Sequence, residues 1–205
     1  MELDHLAAMA ASYDANASAR EEAGEPDWRD DIRDDFVARL PEGARVLEIG
    51  AGVGYTAKWF LDRGIDIVAT DLSPANVELC RAKGVEAEVR DMADLGLPDD
   101  SFDGVWAASC LMHVPNADLG TVFAEVNRVL RDGGLFWAGT WGGLTSEGMW
   151  DDDHYQPARF YSIRDDELMR SLYEPYFEVL SFSTFDPMPE TGWHYQSALL
   201  RAAAR

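Results

Sequence analysis

Apolar residues in this chain alternate between two patterns: short near-continuous runs, and longer stretches in which they recur every three or four positions. The runs at 45–49, 65–70, 85–90, 102–109 and Leu135–Trp141 have the length of buried strands. Helical spacing places Leu3, Leu6, Met9 and Tyr13 on a helix over 3–13, and the polar Ala-, Glu- and Gly-rich stretch to Pro26 predicts a mobile connection. Ile32, Phe36, Val37 and Leu40 define a second helix over about Asp31–Leu40, stopped by Pro41-Glu42-Gly43. A third helix, Tyr55–Arg63, is ended by Gly64. The next is capped by Ser73, with Pro74 in its first turn, and ends at Gly84. Leu119, Val122, Phe123, Val126, Val129 and Leu130 form an apolar stripe on a helix over 118–131, which Gly133-Gly134 terminates. A last helix near 165–175, with Ser162 and Asp165 spaced as a capping pair, precedes the runs Phe177–Phe185 and Trp193–Arg201, which predict a closing antiparallel hairpin.

Strands that alternate with helices at this spacing imply an α/β fold: a parallel sheet with right-handed crossovers and helices on both faces. With 205 residues, 47% of them hydrophobic, the chain suits one such domain over 1–205. Ligands of such sheets bind beyond the carboxyl ends of the strands. There the run Val46-Leu47-Glu48-Ile49 enters the turn Gly50-Ala51-Gly52-Val53-Gly54, and Asp71 closes the next strand 17 positions after Gly54. This spacing presents a carboxylate to a ribose and points to an adenosine-containing ligand. Tyr55 holds the place of the third small residue of a dinucleotide turn, which disfavours NAD, and the turn lacks the Gly-Lys-Ser/Thr ending of a phosphate loop.

Charge narrows the partners. The chain carries 38 acidic against 17 basic residues, a net charge of −21, and its lysines are Lys58 and Lys83. Nucleic acid, which draws on a basic face, is thereby disfavoured. An Asp-rich, Lys-poor surface also fits a high-salt habitat or GC-rich coding. Cys80 and Cys110, 30 residues apart and without CxxC spacing, are expected to be buried thiols, with no metal implied. The longest near-continuous apolar run, Gly104–Met112, is about half of the roughly 20 residues a membrane span requires, and Glu2 and Asp4 stand where a signal peptide would be basic. The expectation is a soluble, cytoplasmic protein, as a monomer or homodimer.

The ordered segments Val46–Gly54, Val68–Ser73, Val89-Arg90-Asp91-Met92, Leu97–Val105 and Val129–Gly134 resemble those of the class I S-adenosylmethionine-dependent methyltransferases, most closely the small-molecule, ubiquinone/menaquinone C-methyltransferase-like group. The resemblance covers about 45–140. It implies a three-layer, doubly wound Rossmann-like fold whose seven-stranded, mostly parallel sheet ends in an antiparallel hairpin. It also implies that Gly50, Ala51, Gly52 and Gly54 let the cofactor approach the backbone. Glu48 would hold its amino group, Asp71 its ribose hydroxyls, and Asp91 with the Met92 backbone its adenine, packed by Leu72 and Met92. Ser109 would lie near the methionine amine and the reactive methyl, and Tyr13 would reach the methionine carboxylate. By its own pattern Tyr13 equally suits a core aromatic on an amphipathic helix.

Methyl transfer from a sulfonium asks mainly for alignment, and an alcohol or carbon acceptor also benefits from a base. His113, just after the fourth strand, is the candidate base; the alternative is that it orients its loop. The Asn-Pro-Pro-aromatic motif of amino-group methylation is absent after this strand. Trp137 is assigned to the core, whereas Trp141, Trp150 and Tyr155, in a Gly-rich and polar connection, are assigned to the acceptor pocket. The helices of 1–40 would cover the site and 141–161 would form its acceptor-side lid. The expected activity is methyl transfer from S-adenosylmethionine to a small molecule, releasing S-adenosylhomocysteine. Alternatives are a protein or RNA methyltransferase, a non-catalytic S-adenosylmethionine-binding module and, more distantly, a nicotinamide oxidoreductase.

Overall fold

The computed structural model describes residues 3–25, 27–150, 152–187 and 193–203. Glu2 and Pro26 lie outside them. The elements run α1 (Leu3–Ala23), α2 (Asp30–Ala38), β1 (Arg45–Ile49), α3 (Tyr55–Asp62), β2 (Asp66–Asp71), α4 (Pro74–Ala82), β3 (Glu86–Val89) and β4 (Phe102–Ala108). A 3₁₀ turn at Leu111–His113 follows, then α5 (Asn116–Val129), β5 (Leu130–Gly142), β6 (Ser146–Met149), β7 (Phe160–Ile163), α6 (Asp166–Tyr173), β8 (Phe177–Phe185) and β9 (His194–Ala202).

Seven strands form one sheet in the order β3-β2-β1-β4-β5-β9-β8. Pairing is parallel from β3 to β5, and β9 runs antiparallel to both β5 and β8. The chain therefore has the expected doubly wound Rossmann-like fold with its closing hairpin, and the strand order reverses between β1 and β4, where a crevice opens at the carboxyl edge. Phe36 of α2, Ala57 and Phe60 of α3, and Val77 and Cys80 of α4 cover one face of the sheet. The apolar stripe of α5 covers the other, with Met169 and Tyr173 of α6. At the centre Trp106 of β4 stacks on Trp137 of β5, ring centroids 3.8 Å apart, and meets Phe36 and Phe60 edge-on.

Four expectations are corrected. The first helix does not stop near residue 13. It continues to Ala23 because Ala15–Ala23 consists mostly of good helix formers whose polar members form a solvated face, and Gly24, at φ +75°, ends it. Helix α5 ends at Val129, not at the glycine pair, because Leu130 is already extended and pairs with Phe102; Gly133 lies inside β5 beside a register shift. Ser162 is no part of a cap. Asp165 alone caps α6, accepting a hydrogen bond from Leu168 N at 2.8 Å, while Ser162 lies in β7 and donates to Glu147. The Gly-rich connection also contains a separate two-stranded sheet, β6 with β7.

Helix α1 lies across the carboxyl edge, docked on α4: Asp14 Oδ1 accepts from Ala75 N at 2.9 Å and from the Ser73 hydroxyl, and Lys83 Nζ binds Glu21 at 2.7 Å. Among the described residues no helix is long and apolar enough to cross a membrane. The stacked tryptophans bind the two central strands, and truncating a buried aromatic side chain costs about 3–5 kcal/mol. Trp106→Ala is expected to lower stability by about that amount in urea unfolding.

Candidate active site

The turn after β1 is shaped by close approaches that only glycine allows. Gly50 has φ +63°, and a Cβ there would lie 2.4 Å from Cys110 Cβ, so the turn presses directly on the loop after β4. At Gly54, φ +84°, a Cβ would come within 2.7 Å of Cys80 Sγ on α4. Gly54 thus serves the packing of α3 on α4, while Gly50, Ala51 and Gly52 line the cavity.

Asp71 ends β2 almost fully buried. Its Oδ2 accepts from Gly52 N at 2.7 Å, and its Oδ1 accepts from Ser73 N at 2.8 Å and Asn76 Nδ2 at 3.2 Å. Burial raises its pKa, and these three hydrogen bonds oppose the rise. Glu48, 3% exposed, has its pKa pushed well above the ordinary range, first by burial and then by Glu25. Its Oε2 has no hydrogen-bond partner among the described residues.

These groups border a cavity of about 620 Å³ closed over by α1. Met9, Tyr13, Asn16, Arg20 and Ala23 line it, spaced four, three, four and three residues apart, which is one face of a helix. Arg20 approaches the glycine turn, its Nη2 3.5 Å from where a Gly52 Cβ would stand, and its Nη1 donates to Tyr155 Oη at 3.3 Å. The Arg20 Nε is buried without a partner.

At the other end of the cavity His113 is fixed from both sides. Its Nδ1 lies 2.8 Å from the Phe160 carbonyl, which can only accept, so the ring proton is on Nδ1. Nε2 then accepts the Tyr13 hydroxyl at 2.7 Å. Burial, foremost, lowers the His113 pKa to about 4. Arg159 Nη1 donates to Tyr13 Oη at 3.4 Å, while its Nε and Nη2 form a bidentate pair with Asp153, both at 2.9 Å. Burial raises the Asp153 pKa, but the hydrogen bonds from the Arg159 guanidinium and from the Arg159 and Tyr155 backbone N–H, together with the Arg159 charge, lower it to about 2. Ser109, at φ +57°, directs its Oγ to Tyr195 Oη at 3.1 Å.

Of the residues singled out in the sequence, Tyr13, Glu48, Gly50, Ala51, Gly52, Asp71, Leu72, Asp91, Met92, Ser109, His113, Trp141 and Tyr155 border this one cavity. Trp150 does not. The β6–β7 pairing carries it to the far side of the small sheet, where its ring packs 4.8 Å from Trp193 and 5.1 Å from Tyr161. Arg20 and Arg159 were not singled out. Arg20 follows Tyr13 by seven residues on the same helical face and emerges once α1 is carried past residue 13. For Arg159 the sequence holds no local signal.

The switch-point crevice, the glycine turn and the carboxylate closing β2 define a Rossmann-like domain with a nucleotide-type site at its carboxyl edge. Residues 47–138 match the family model described as a methyltransferase domain. A 101-residue segment is 39% identical to "Methyltransferase GfsG" of Streptomyces halstedii, covering 45% of this chain and 36% of that protein. Over 140 residues the chain is 31% identical to the 2-methyl-6-phytyl-1,4-hydroquinone methyltransferase of a Synechocystis species, covering 65% of this chain and 40% of that one. The chain spans less than half the length of the curated relatives it matches. Among solved structures, the 1,6-didemethyltoxoflavin-N1-methyltransferase of Burkholderia thailandensis, with bound S-adenosylhomocysteine, superposes with a TM-score of 0.71 at 23% identity over 96% of this chain and 89% of that one, and so shares its fold.

The buried imidazole generates a pH prediction. Unfolded, His113 titrates near 6.5; folded, it titrates near 4. Between these values only the unfolded chain takes up the proton, so the contribution of His113 to stability falls as pH drops from about 6.5 to about 4. The imidazole signals of His113 in NMR should stay those of the Nδ1–H tautomer from pH 8 to about 5, the region above its folded pKa. Titration near 6.5 would contradict the hydrogen-bond assignment.

Proposed function

We propose that the protein transfers a methyl group from S-adenosylmethionine to a small-molecule acceptor and releases S-adenosylhomocysteine. One observation carries the reading: two buried polar atoms without partners, Oε2 of Glu48 and Nε of the half-buried Arg20, belong to residues that border the same cavity beside the glycine turn. Buried polar atoms without partners are costly unless a ligand completes them. The zwitterionic end of a methionine does so, its ammonium at Glu48 and its carboxylate at Arg20. Asp71 Oδ2, which accepts only from Gly52 N, keeps acceptor capacity for a ribose hydroxyl. In this reading Asp91 and the Met92 backbone would hold the adenine, and Leu72 would pack it.

The cofactor, when bound, supplies a methyl carbon activated by a positive sulfur. The rest of the catalysis asks the chain for alignment and dryness. Helix α1 roofs the cavity, and the 141–161 segment closes its acceptor side through Trp141 and Tyr155. Because Nε2 of His113 is engaged by Tyr13, any base action of His113 runs through the Tyr13 hydroxyl. The acidity of the chain and its enclosed cavity support a small acceptor over RNA or protein.

Calorimetric titration with S-adenosylmethionine, S-adenosylhomocysteine and NADH, at low and high salt, tests the reading: both sulfur compounds should bind and NADH should not. Failure of both would overturn it, and binding without turnover across an acceptor screen would favour a sensing module. Asp71→Ala should abolish tight binding of either sulfur compound. Arg20→Met should weaken S-adenosylhomocysteine by about tenfold or more, the value of one charge-assisted hydrogen bond. Its affinity for 5′-methylthioadenosine, which lacks the amino-acid end, should not change.

A further inference from the structure

Resting on the methyltransferase reading, we propose that the acceptor is an anion whose carboxylate, enolate or phenolate oxygen seats on the Nη1 edge of Arg159 beside Tyr13. The distribution of charge within the cavity carries this first. Of its lining carboxylates, Glu48, Asp71 and Asp91 stand at the ends of β1 to β3 and Glu25 in the connection after α1, with Arg29 and Arg90 also in the lining. Among the described residues no acid lines the cavity from α1, from the turn after β4, or from 141–159. Those segments contribute Arg20, Arg159, His5, His113 and His154 instead. In a chain with 38 acids against 17 bases, this half departs from what composition alone would supply.

Hydrogen-bond bookkeeping at Arg159 adds the direction. Asp153 engages Nε and Nη2 of the guanidinium and the Arg159 backbone N–H, yet does not itself line the cavity. It acts as a brace behind the guanidinium and leaves the Nη1 edge toward Tyr13. Tyr13 gives its own proton to His113, so its oxygen offers the ligand only lone pairs. An oxyanion can accept from Nη1, and its protonated form can donate to Tyr13. An ammonium would meet a guanidinium with no carboxylate facing it.

The aromatic rings close the remaining route for a cation. A quaternary amine is recognised on the faces of aromatic side chains. Here the Arg159 guanidinium carbon already lies 3.6 Å from the Tyr155 ring centroid, and that of Arg20 lies 5.3 Å from the Tyr13 centroid. Two rings of the cavity, Tyr13 and Tyr155, are thus already engaged by the protein's own cations.

Calorimetry with benzoate, 4-nitrophenolate and phenyltrimethylammonium, on the protein with and without saturating S-adenosylhomocysteine, tests the proposal. Both anions should bind and the ammonium should not. Arg159→Met should weaken the anions by about tenfold or more while leaving S-adenosylhomocysteine affinity intact, and Arg159→Lys should fall between. Bound 4-nitrophenol should show an enlarged anion absorbance band, lost in Arg159→Met. Ammonium binding as tight as benzoate, no binding of either anion to the wild type, or unchanged anion affinity in Arg159→Met would each overturn the proposal. Should Arg159→Met also lose S-adenosylhomocysteine, the Lys variant and the wild-type anion-to-ammonium comparison decide. Anion binding without S-adenosylhomocysteine binding would remove the methyl donor and keep the anion site.

Discussion

Asp71 holds together the edge of the sheet on which the site is built. Its carboxylate takes hydrogen bonds from Gly52 in the glycine turn and from Ser73 and Asn76 at the start of α4. One side chain thereby fixes the loop after β1 to the loop after β2. Ser73 in turn caps α4 and donates to Asp14, which docks α1 over the cavity. The roof of the site is tied, through two short contacts, to the residue expected to read the ribose. Burying this carboxylate raises its pKa, and the backbone donors keep that rise in check. A carboxylate that must both organise the protein and meet a ligand needs this arrangement, because an unsupported buried charge would protonate instead.

A second buried charge organises the acceptor side by other means. Arg164 is 1% exposed, and it donates to the carbonyls of Leu111, Val114 and Ser162 and to Asn116 Oδ1 at 2.6 to 3.2 Å. Burial lowers its pKa to about 10, and among these four partners there is no carboxylate. What it supplies is donors to the carbonyls that border the 3₁₀ turn and end β7. By bonding to both, Arg164 sets β7 against the turn that carries His113. That places the Phe160 carbonyl where it selects the imidazole tautomer. The protonation state of His113 is thus settled by packing before any ligand arrives.

The parts of the protein legible in the sequence are those whose physics is local. Strand runs, the helical stripe of α5, the Ser73-Pro74 cap and the spacing from the glycine turn to Asp71 each depend on residues within about twenty positions of one another. What escaped depends on contacts across the chain. Tyr13 meets His113 over 100 residues and Arg159 over 146, and no periodicity announces either. The length of α1 was obscured by its polarity, since a helix lying on a cavity mouth shows only a narrow apolar stripe and otherwise resembles a solvated connection. Trp150 and Tyr155 look alike in a Gly-rich stretch, and the pairing of β6 with β7 sends them to opposite sides.

Net charge and site charge act over different ranges, which explains how a chain of −21 can hold a cavity half without acids. Much of the surplus lies at the surface, where Arg39, Lys58 and Arg81 are each matched by an acid three or four positions away and many further acids face solvent. At physiological salt such charges are screened beyond about 8 Å, so they slow the encounter with an anion more than they weaken a bound one. Inside, groups in direct contact decide, in a setting where water screens little. A high-salt medium would reduce the long-range repulsion further and leave the enclosed contacts of Arg159 and Arg20 nearly as strong. The acidic exterior therefore does not decide the class of ligand, which depends on the few side chains that line the cavity.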